Sequence, residues 1–447
     1  MQRLKFSQSR SEITGHSGLA LVGQAIHRYT NLTREADQQI PLRHGIKHSD
    51  LIKSYLGLLC LGKNDFEAIH TIDSELFYMT ALGIAKLPSE PTFRQRLNQH
   101  AKVFLSVVEK ASWDFLENIQ PEMRPLSSGH IPLDADATMM DNSGSHKEGV
   151  SRTYAGFEGH APMVAYLGAE GYCLELELRA GQQHVQNGTP ALLSRALVNA
   201  RKITALPLLL RLDGGNDSLE NMDVVLSFNE QHPDVEPVDF IIKWNPRQQD
   251  KEWWLDYAEQ HGCWEEERDG KRISRFSVES ERPWKGYDYS IRQVMQVTVR
   301  TIDYRGQRLL TPEIDIDGWW TSLTLAEKEV IRLYADRGLS EQFHSEFKTD
   351  LDIERLPSGK FATNALVLGC SMLVYNILRW IGQNGLLKPR SPRRQKAKRR
   401  RIKTVMQELM FVAAKLVRSA RAYRLCFGRD CRSRRILDEL YQVLAFA

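Results

Sequence analysis

The residues of this 447-residue chain best placed to do chemistry are carboxylates, two near strand ends and one on a polar helical stripe. The run Ile131-Pro132-Leu133-Asp134-Ala135-Asp136-Ala137-Thr138 reads as a strand. Alternate side chains of a strand share a face, so Asp134, Asp136 and Thr138 point the same way. The mostly apolar run Leu206 to Leu212 leads into Asp213 and then Gly214-Gly215-Asn216, which sets an acid at the lip of a sheet, where sites form. Further on, Tyr334, Arg337, Glu341 and Lys348 stand at offsets of 0, 3, 7 and 14 residues. At roughly 100° per residue of α-helix they fall within about 60° of one another. Such a stripe is not a core face; it suits a metal ligand flanked by phosphate-binding groups, or a surface ladder of ion pairs. Two acids on strands and one on a helix can converge on two divalent cations. In phosphoryl transfer such cations activate a water or a 3′-hydroxyl and stabilise the leaving oxygen. Magnesium (Mg2+) prefers carboxylate and phosphate oxygens, and manganese (Mn2+) can substitute. Asp134 is the alternative to Asp136, Asp217 to Asp213, and Glu346 to Glu341. His160, His184 and His344 read as structural groups or phosphate contacts, because no histidine spacing suggests zinc.

The elements around these residues fall into five stretches. Residues 1–125 read as helical: Ser49 to Leu61 and Glu67 to Leu87 carry apolar residues at helical spacing, and Thr92 with Gln95 reads as a capping box opening another helix. That helix start, with its arginines, could enter a DNA groove or be a solvated helix of a small bundle. Residues 126–235 alternate strand and helix: strands over Gly159 to Leu167 and Gly171 to Arg179, then a helix over Leu192 to Ile203. Residues 236–320 read as a β-rich insertion, and seven of the nine tryptophans lie between Asp213 and Glu341. Residues 321–385 return to helix, ending in an apolar segment whose Asn376 and Arg379 favour a buried core helix over a membrane span. Residues 386–447 are basic and then helical. Ten Lys or Arg occupy the sixteen residues Lys388 to Lys403, with no acid; without them the net charge of +4 becomes −6 for the remainder. Arg393, Arg394, Lys398, Arg399, Arg400 and Arg401 therefore read as contacts to a polyanion. The six cysteines form no C-x-x-C pair and no disulfide framework. The opening Met1 to Ile13 is polar and charged, which gives no expectation of a secretory leader, and the chain reads as cytoplasmic.

These residues resemble a known family. Tyr334-x-x-Arg337-x-x-x-Glu341-x-x-x-x-x-x-Lys348 is similar to the Y-R-E-K signature of bacterial insertion-sequence transposases with an RNase H-like DDE domain. Asp136-Ala137-Thr138 resembles the D-x-T around the first acid, and Arg211-Leu212-Asp213-Gly214-Gly215 the segment around the second, with Asn216 in place of the usual aromatic. Leu178 to Gln182, Arg355-Leu356-Pro357-Ser358 and Phe361-x-x-Asn364 resemble flanking segments. The likeness runs from about residue 40 to 425 and is nearest to the thirteen-eighty family of insertion sequences. It implies an α/β, RNase H-like catalytic domain interrupted by a β-rich insertion, with a helical N-terminal DNA-binding domain and a helical, basic C-terminal region. It further implies cut-and-paste transposition using Asp136, Asp213 and Glu341 as catalytic and metal-binding residues. Tyr334, Arg337 and Lys348 would then contact DNA. The partners implied are double-stranded DNA with terminal inverted repeats and target DNA, bound by a homodimer or higher assembly in a nucleoid-associated, cytoplasmic setting. One aromatic of the insertion, Trp319 or Trp320, would stack on a flipped base. The competing readings are a nuclease of the same fold that only hydrolyses, and a domesticated DNA-binding protein without catalysis.

Overall fold

A computed structural model describes residues 4–8, 10–72, 75–247, 250–388, 397–419 and 422–446. The N-terminal part is helical: α1 Leu19–Tyr29, α2 Leu32–Gln39, α3 His48–Cys60, α4 Leu76–Leu82 and α5 Glu90–Ile119. Between α3 and α4 lies a 3-10 turn, Phe66–Thr71, in place of the single helix that periodicity predicts from Glu67. The α5 helix starts earlier than Thr92. Ser89 is its cap and Pro91 sits in the first turn, where a missing N–H costs no hydrogen bond. Its arginines are tied within the chain: Arg94 pairs at the surface with Glu90, and Arg96 donates to the Ile46 carbonyl.

Nine strands form one sheet: β1 Ile131–Ala137, β2 Met163–Leu167, β3 Tyr172–Glu177, β4 Leu208–Leu212, β5 Val238–Lys243, β6 Cys263–Arg268, β7 Lys271–Trp284, β8 Tyr287–Ile302 and β9 Arg308–Thr321. Their order is β6-β7-β8-β9-β5-β4-β1-β2-β3. β1, β4 and β5 run parallel and the others pair antiparallel, so the β-rich stretch continues the same sheet through β9 and β5. Two helices, α6 Thr189–Ile203 and α7 Leu219–Gln231, connect β3 to β4 and β4 to β5. β4 is buried on both faces. Leu208, Leu210 and Leu212 join the main core, while Leu209 joins a second cluster with Ile241, Val294, Trp319, Leu323, Val330 and Leu333. A parallel strand covered on both sides has this near-continuous apolar sequence.

The polar-stripe segment is not one α-helix. It runs as a helix Glu327–Ala335, α9 in chain order after α8 Lys251–His261, then a 3-10 turn Asp336–Leu339, then α10 Ser340–Ser345, then a π turn Glu346–Asp350. The even 100° step assumed from sequence therefore fails between Tyr334 and Lys348. The apolar segment is a single helix, α11 Phe361–Leu386, packed against α5 and β3 and buried along nearly all its length. It is long and apolar enough to cross a membrane, yet it is mostly buried inside the protein, and Asn376 and Arg379 have protein partners. Asn376 accepts from the Cys173 amide (2.8 Å) and donates to the Cys173 carbonyl (2.7 Å), serving the outer edge of β3 as a further strand would. Arg379 is wholly buried and pairs with Glu346. The C-terminal region is not helical throughout: Ala414–Ser419 and Ala422–Phe427 form a hairpin that pairs with Ile13–Thr14. Alternating burial at Ala414, Lys415, Leu416 and Val417 is the strand period that favours it.

Asn376→Leu keeps the branching of the side chain but leaves the Cys173 amide and carbonyl unpaired, at about 1–3 kcal/mol for each buried group. Urea unfolding should show a lower midpoint, while a surface change such as Val198→Asn in α6 should not. An Asn376→Leu midpoint equal to wild type would mean that the β3 edge does not depend on this amide.

Candidate active site

The candidate site begins with register. β1 and β4 pair in parallel, Asp134 with Arg211 and Ala135 with Leu212. The next step along both strands brings Asp136 level with Asp213. Asp134 is buried and accepts both arms of the Arg211 guanidinium, at 2.6 and 2.7 Å. The remaining arm of Arg211 donates to the Leu333 carbonyl near the end of α9 at 2.5 Å. Asp134 is thus engaged in an ion pair, and Asp136, one pleat further, faces the opening.

Four side chains surround the Asp136–Asp213 pair. Arg337 forms an ion pair with Asp136 Oδ2 at 2.9 Å and donates to the Ala135 carbonyl at 3.0 Å. The His344 ring, on α10, lies 3.8 Å from the same oxygen through Nε2, and its Nδ1 meets the Tyr166 hydroxyl at 3.1 Å. That Nε2 is buried and has no hydrogen-bond partner. Asn216, in the turn after Asp213, donates to Asp213 Oδ1 at 2.7 Å, so the residue that departs from the family pattern steadies the second acid. Tyr334 is half-buried with its ring edge against Trp319. Its hydroxyl is pushed up by burial and pulled back by Arg337.

The two acids titrate in opposite directions. Burial alone would raise the Asp136 carboxyl, but the His344 ring and the Arg337 charge outweigh it and hold the acid below its ordinary range. Asp213 is raised, first by burial and then by the Asp136 charge, with Arg337 and Asn216 opposing. Two carboxylates that disfavour each other's charge in a partly buried cleft form an oxygen donor set suited to a divalent cation.

The other expected residues are placed less compactly. Glu341 is exposed on α10, and among the described residues no group of three or more His, Cys, Asp or Glu gathers as a metal site. The donor set in this conformation is two of the three acids. Lys348, in the π turn, is half-buried; burial pushes its ammonium down, against the pull of Glu354. Glu346 faces away from the site, buried between Arg379 and Arg399. Asp217 accepts from the Asn245 amide at 2.9 Å and lies outside the pair. His160 is buried with its Nε2 at the Glu148 carbonyl. In the basic run, Arg393 and Arg394 lie outside the described residues. Lys398 is exposed and its carbonyl accepts from Arg124. Arg399 binds Glu346 and Gln342, Arg400 donates to the Leu386 carbonyl, and Arg401 binds both oxygens of Asp350 at 3.0 and 2.9 Å. Three of the run's arginines are therefore internal ties. Trp319 packs under α9 with the Lys243 ammonium 4.1 Å from its ring. Trp320, pointing to the opposite face, lines a cavity of about 870 Å3 with Trp244, Trp253, Trp254 and Tyr257, and Arg282 stacks on its ring at 4.7 Å. Sequence reasoning passed over Arg211 and Asn216 as working residues and left His344 unplaced. The signal for Arg211 was its position two residues before Asp213, on the same strand face.

Comparison with known proteins assigns the class. The family described as transposase DDE domain, group 1, matches residues 2–447. The chain belongs to this family of DDE transposases. No curated protein matches it. Among solved structures, a piggyBac transposase synaptic complex with hairpin DNA aligns with 98% of this chain and 83% of its own, at 10% identity and a TM-score of 0.39.

Because the Asp213 carboxyl is raised in the folded protein, folding favours its neutral form. That advantage is complete below the unfolded value of about 3.9 and is lost as pH rises through the folded value. Asp213→Asn should therefore melt higher than wild type at neutral pH, and the two curves should converge as pH falls below about 4. A variant that melts no higher than wild type at neutral pH would contradict the charge repulsion inferred here.

Proposed function

We propose that this chain is a metal-dependent DNA transposase that cuts at element ends and joins them to target DNA, of the thirteen-eighty insertion-sequence type. The observation that carries the reading is the pairing of Asp136 with Asp213 at adjacent strand ends, with Arg337 and Tyr334 beside them. The meander β1-β2-β3, followed by a helix and a strand ending in an acid, supports an RNase H-like catalytic domain made of residues 126–235 and 321–385. Residues 236–320 are its insertion, 1–125 an end-binding domain, and 386–447 a basic region.

In this reading Asp136, Asp213 and Glu341 hold magnesium, with manganese able to substitute. When bound, the cations supply an activated water or 3′-hydroxyl and stabilise the leaving oxygen. Glu341 is exposed on the short helix that also carries His344, and in this reading it completes the donor set from the solvent side. The protein's own groups do the positioning. Arg337 aims the Asp136 carboxylate and adds positive charge beside it. Tyr334 and Lys348 contact strand phosphates. Arg393, Arg394 and Lys398 meet the DNA backbone, whereas Arg399 and Arg401 hold that segment against the π turn and Arg400 ties it to the end of α11. The aromatic cavity beside Trp320 suits a stacked base, which favours Trp320 over Trp319 for that role. The assembly acts as a homodimer or higher multimer on terminal inverted repeats, in the bacterial cytoplasm.

The test uses DNA ending in the inverted repeat that flanks the gene, incubated with magnesium, manganese or chelator. Asp136→Asn, Asp213→Asn and Glu341→Gln should each reduce cleavage by at least a hundredfold while gel shifts persist, and chelator should stop wild type. Arg337→Ala should lose one to two decades, the cost of a charged hydrogen bond of about 1.5–3 kcal/mol. Near-normal cleavage by any acid variant would remove that residue from the site. Products that are only hydrolysed, never joined to target DNA, would reduce the reading to a nuclease.

A further inference from the structure

A second charged site lies beyond the carboxylate pair, where the loop after β1 meets the chain between α10 and α11. The chain leaving Asp136 passes a short strand, Met140–Asp141, and reaches Lys147. Lys147 donates to Asn142 Oδ1 at 3.1 Å, and the buried Asn142 donates in turn to the Glu354 carbonyl at 3.1 Å. One buried amide thus sets Lys147 beside the 351–355 loop that carries Arg355. Lys348, three residues before this loop in the π turn, is close enough for the Glu354 charge to act on its ammonium. Among the described residues, Lys147, Lys348 and Arg355 form no ion pair with a carboxylate. The nearby acids, Glu354 and Asp141, act only at longer range and leave the three cations in excess.

Both loops are held rigidly. The 147–149 loop is stapled to the start of α11: the Glu148 amide donates to the Gly359 carbonyl (3.0 Å), and Glu148 accepts from the Phe361 amide (2.9 Å) and from Lys360 (2.8 Å). On the other side, Asn64 of the helical region donates to the Asp352 and Arg355 carbonyls, holding Asp352 at a φ of +57°. A non-glycine residue in that conformation is strained and persists only where its surroundings enforce it. Lys147 and Lys348 are half-buried cations without acids, which is costly, and Arg355 is exposed beside them; Lys147 is depressed by burial and by Arg355. The cost is removed when an anion arrives. The Asn142 nitrogen is taken up by the Met140 and Glu354 carbonyls, so the donors on offer are those of the three cations, the charged groups that bind phosphate best.

We propose that Lys147, Lys348 and Arg355 form a binding site for a backbone phosphate of DNA lying away from the reacting bond. The inference rests on the transposase reading and adds two residues, Lys147 and Arg355, to which no role has been assigned. It places DNA across the loops from Asp136 towards Asn64, so the helical region grips the same phosphate track indirectly.

The probe is a labelled linear duplex of mixed sequence, titrated with full-length protein over a range of potassium chloride concentrations. Each phosphate contact adds about 0.9 to the slope of log affinity against log salt. Lys147→Ala with Arg355→Ala should lower that slope by about 1.8, and Lys147→Arg with Arg355→Lys should restore most of it. If the double alanine variant melts early, Lys147→Gln alone should still lose about one contact's slope. Unchanged slopes in Lys147→Gln and in a folded double variant would overturn this site while leaving the transposase reading intact. Salt-independent or absent binding by wild type would overturn both.

Discussion

The Arg211 guanidinium donates to both oxygens of Asp134 and to the Leu333 carbonyl, and this buried fork joins three chain segments that are far apart in sequence. It fixes the register of β1 against β4, so that Asp136 and Asp213 leave the sheet side by side. It also pins the last turn of α9 over the strands, which sets where Tyr334 and Arg337 emerge. A buried charge pair with all its donors and acceptors engaged adds less stability than its Coulomb attraction suggests. Breaking it, however, leaves a charge alone in the core, at a cost of roughly 3–5 kcal/mol. Its value here is specification: without it the sheet could form while the two acids lost their alignment.

From that anchor the charges alternate outwards. Asp134 is neutralised by Arg211, Asp136 faces Arg337, and Asp213 is left with a carboxamide and an unfavourable neighbour. Behind the segment, Glu346 is clamped between Arg379 of α11 and Arg399, and Asp350 is held by Arg401. These ties draw the backbone into a π turn immediately after α10. Ion pairs thus set the orientation of the segment from both ends, while the apolar contacts of Val330 and Leu333 with Leu209 and Ile241 supply its adhesion to the sheet.

The parts that local pattern controls were legible in the sequence. Parity along Asp134-Ala135-Asp136 and the apolar run before Asp213 put both acids on strands, and the buried character of α11 followed from its apolar residues. What was not legible depended on partners distant in the chain. Nothing local shows that Asp134 belongs to Arg211, or that Arg399 and Arg401 are consumed by Glu346 and Asp350. The stripe from Tyr334 to Lys348 was read with one helical period, yet a 3-10 turn containing Gly338 and a π turn interrupt it. Its four residues consequently reach different places: Arg337 the acids, Tyr334 the tryptophan beneath α9, Glu341 solvent, Lys348 the loop of Glu354. Trp319 and Trp320 are neighbours on a strand and so face opposite sides, but only the tertiary structure shows which side holds the aromatic cavity. The C-terminal hairpin did carry a local signal, the alternation from Ala414 to Val417, but it is only four residues long and lies in a tail whose remainder is helical.

The shared carboxylate pair is tested most directly by metal-linked stability, without DNA or turnover. A cation that binds only the folded protein stabilises it by RT ln(1 + L/Kd) at free concentration L, so the melting midpoint climbs with the logarithm of its concentration above Kd. Manganese titrated against wild type should raise the midpoint progressively. Asp136→Asn and Asp213→Asn should each remove most of that rise, because both oxygens belong to one site, and Asp217→Asn should leave it intact. A rise that survives both the Asp136 and the Asp213 substitutions would place the metal elsewhere and contradict the pairing on which the site is built.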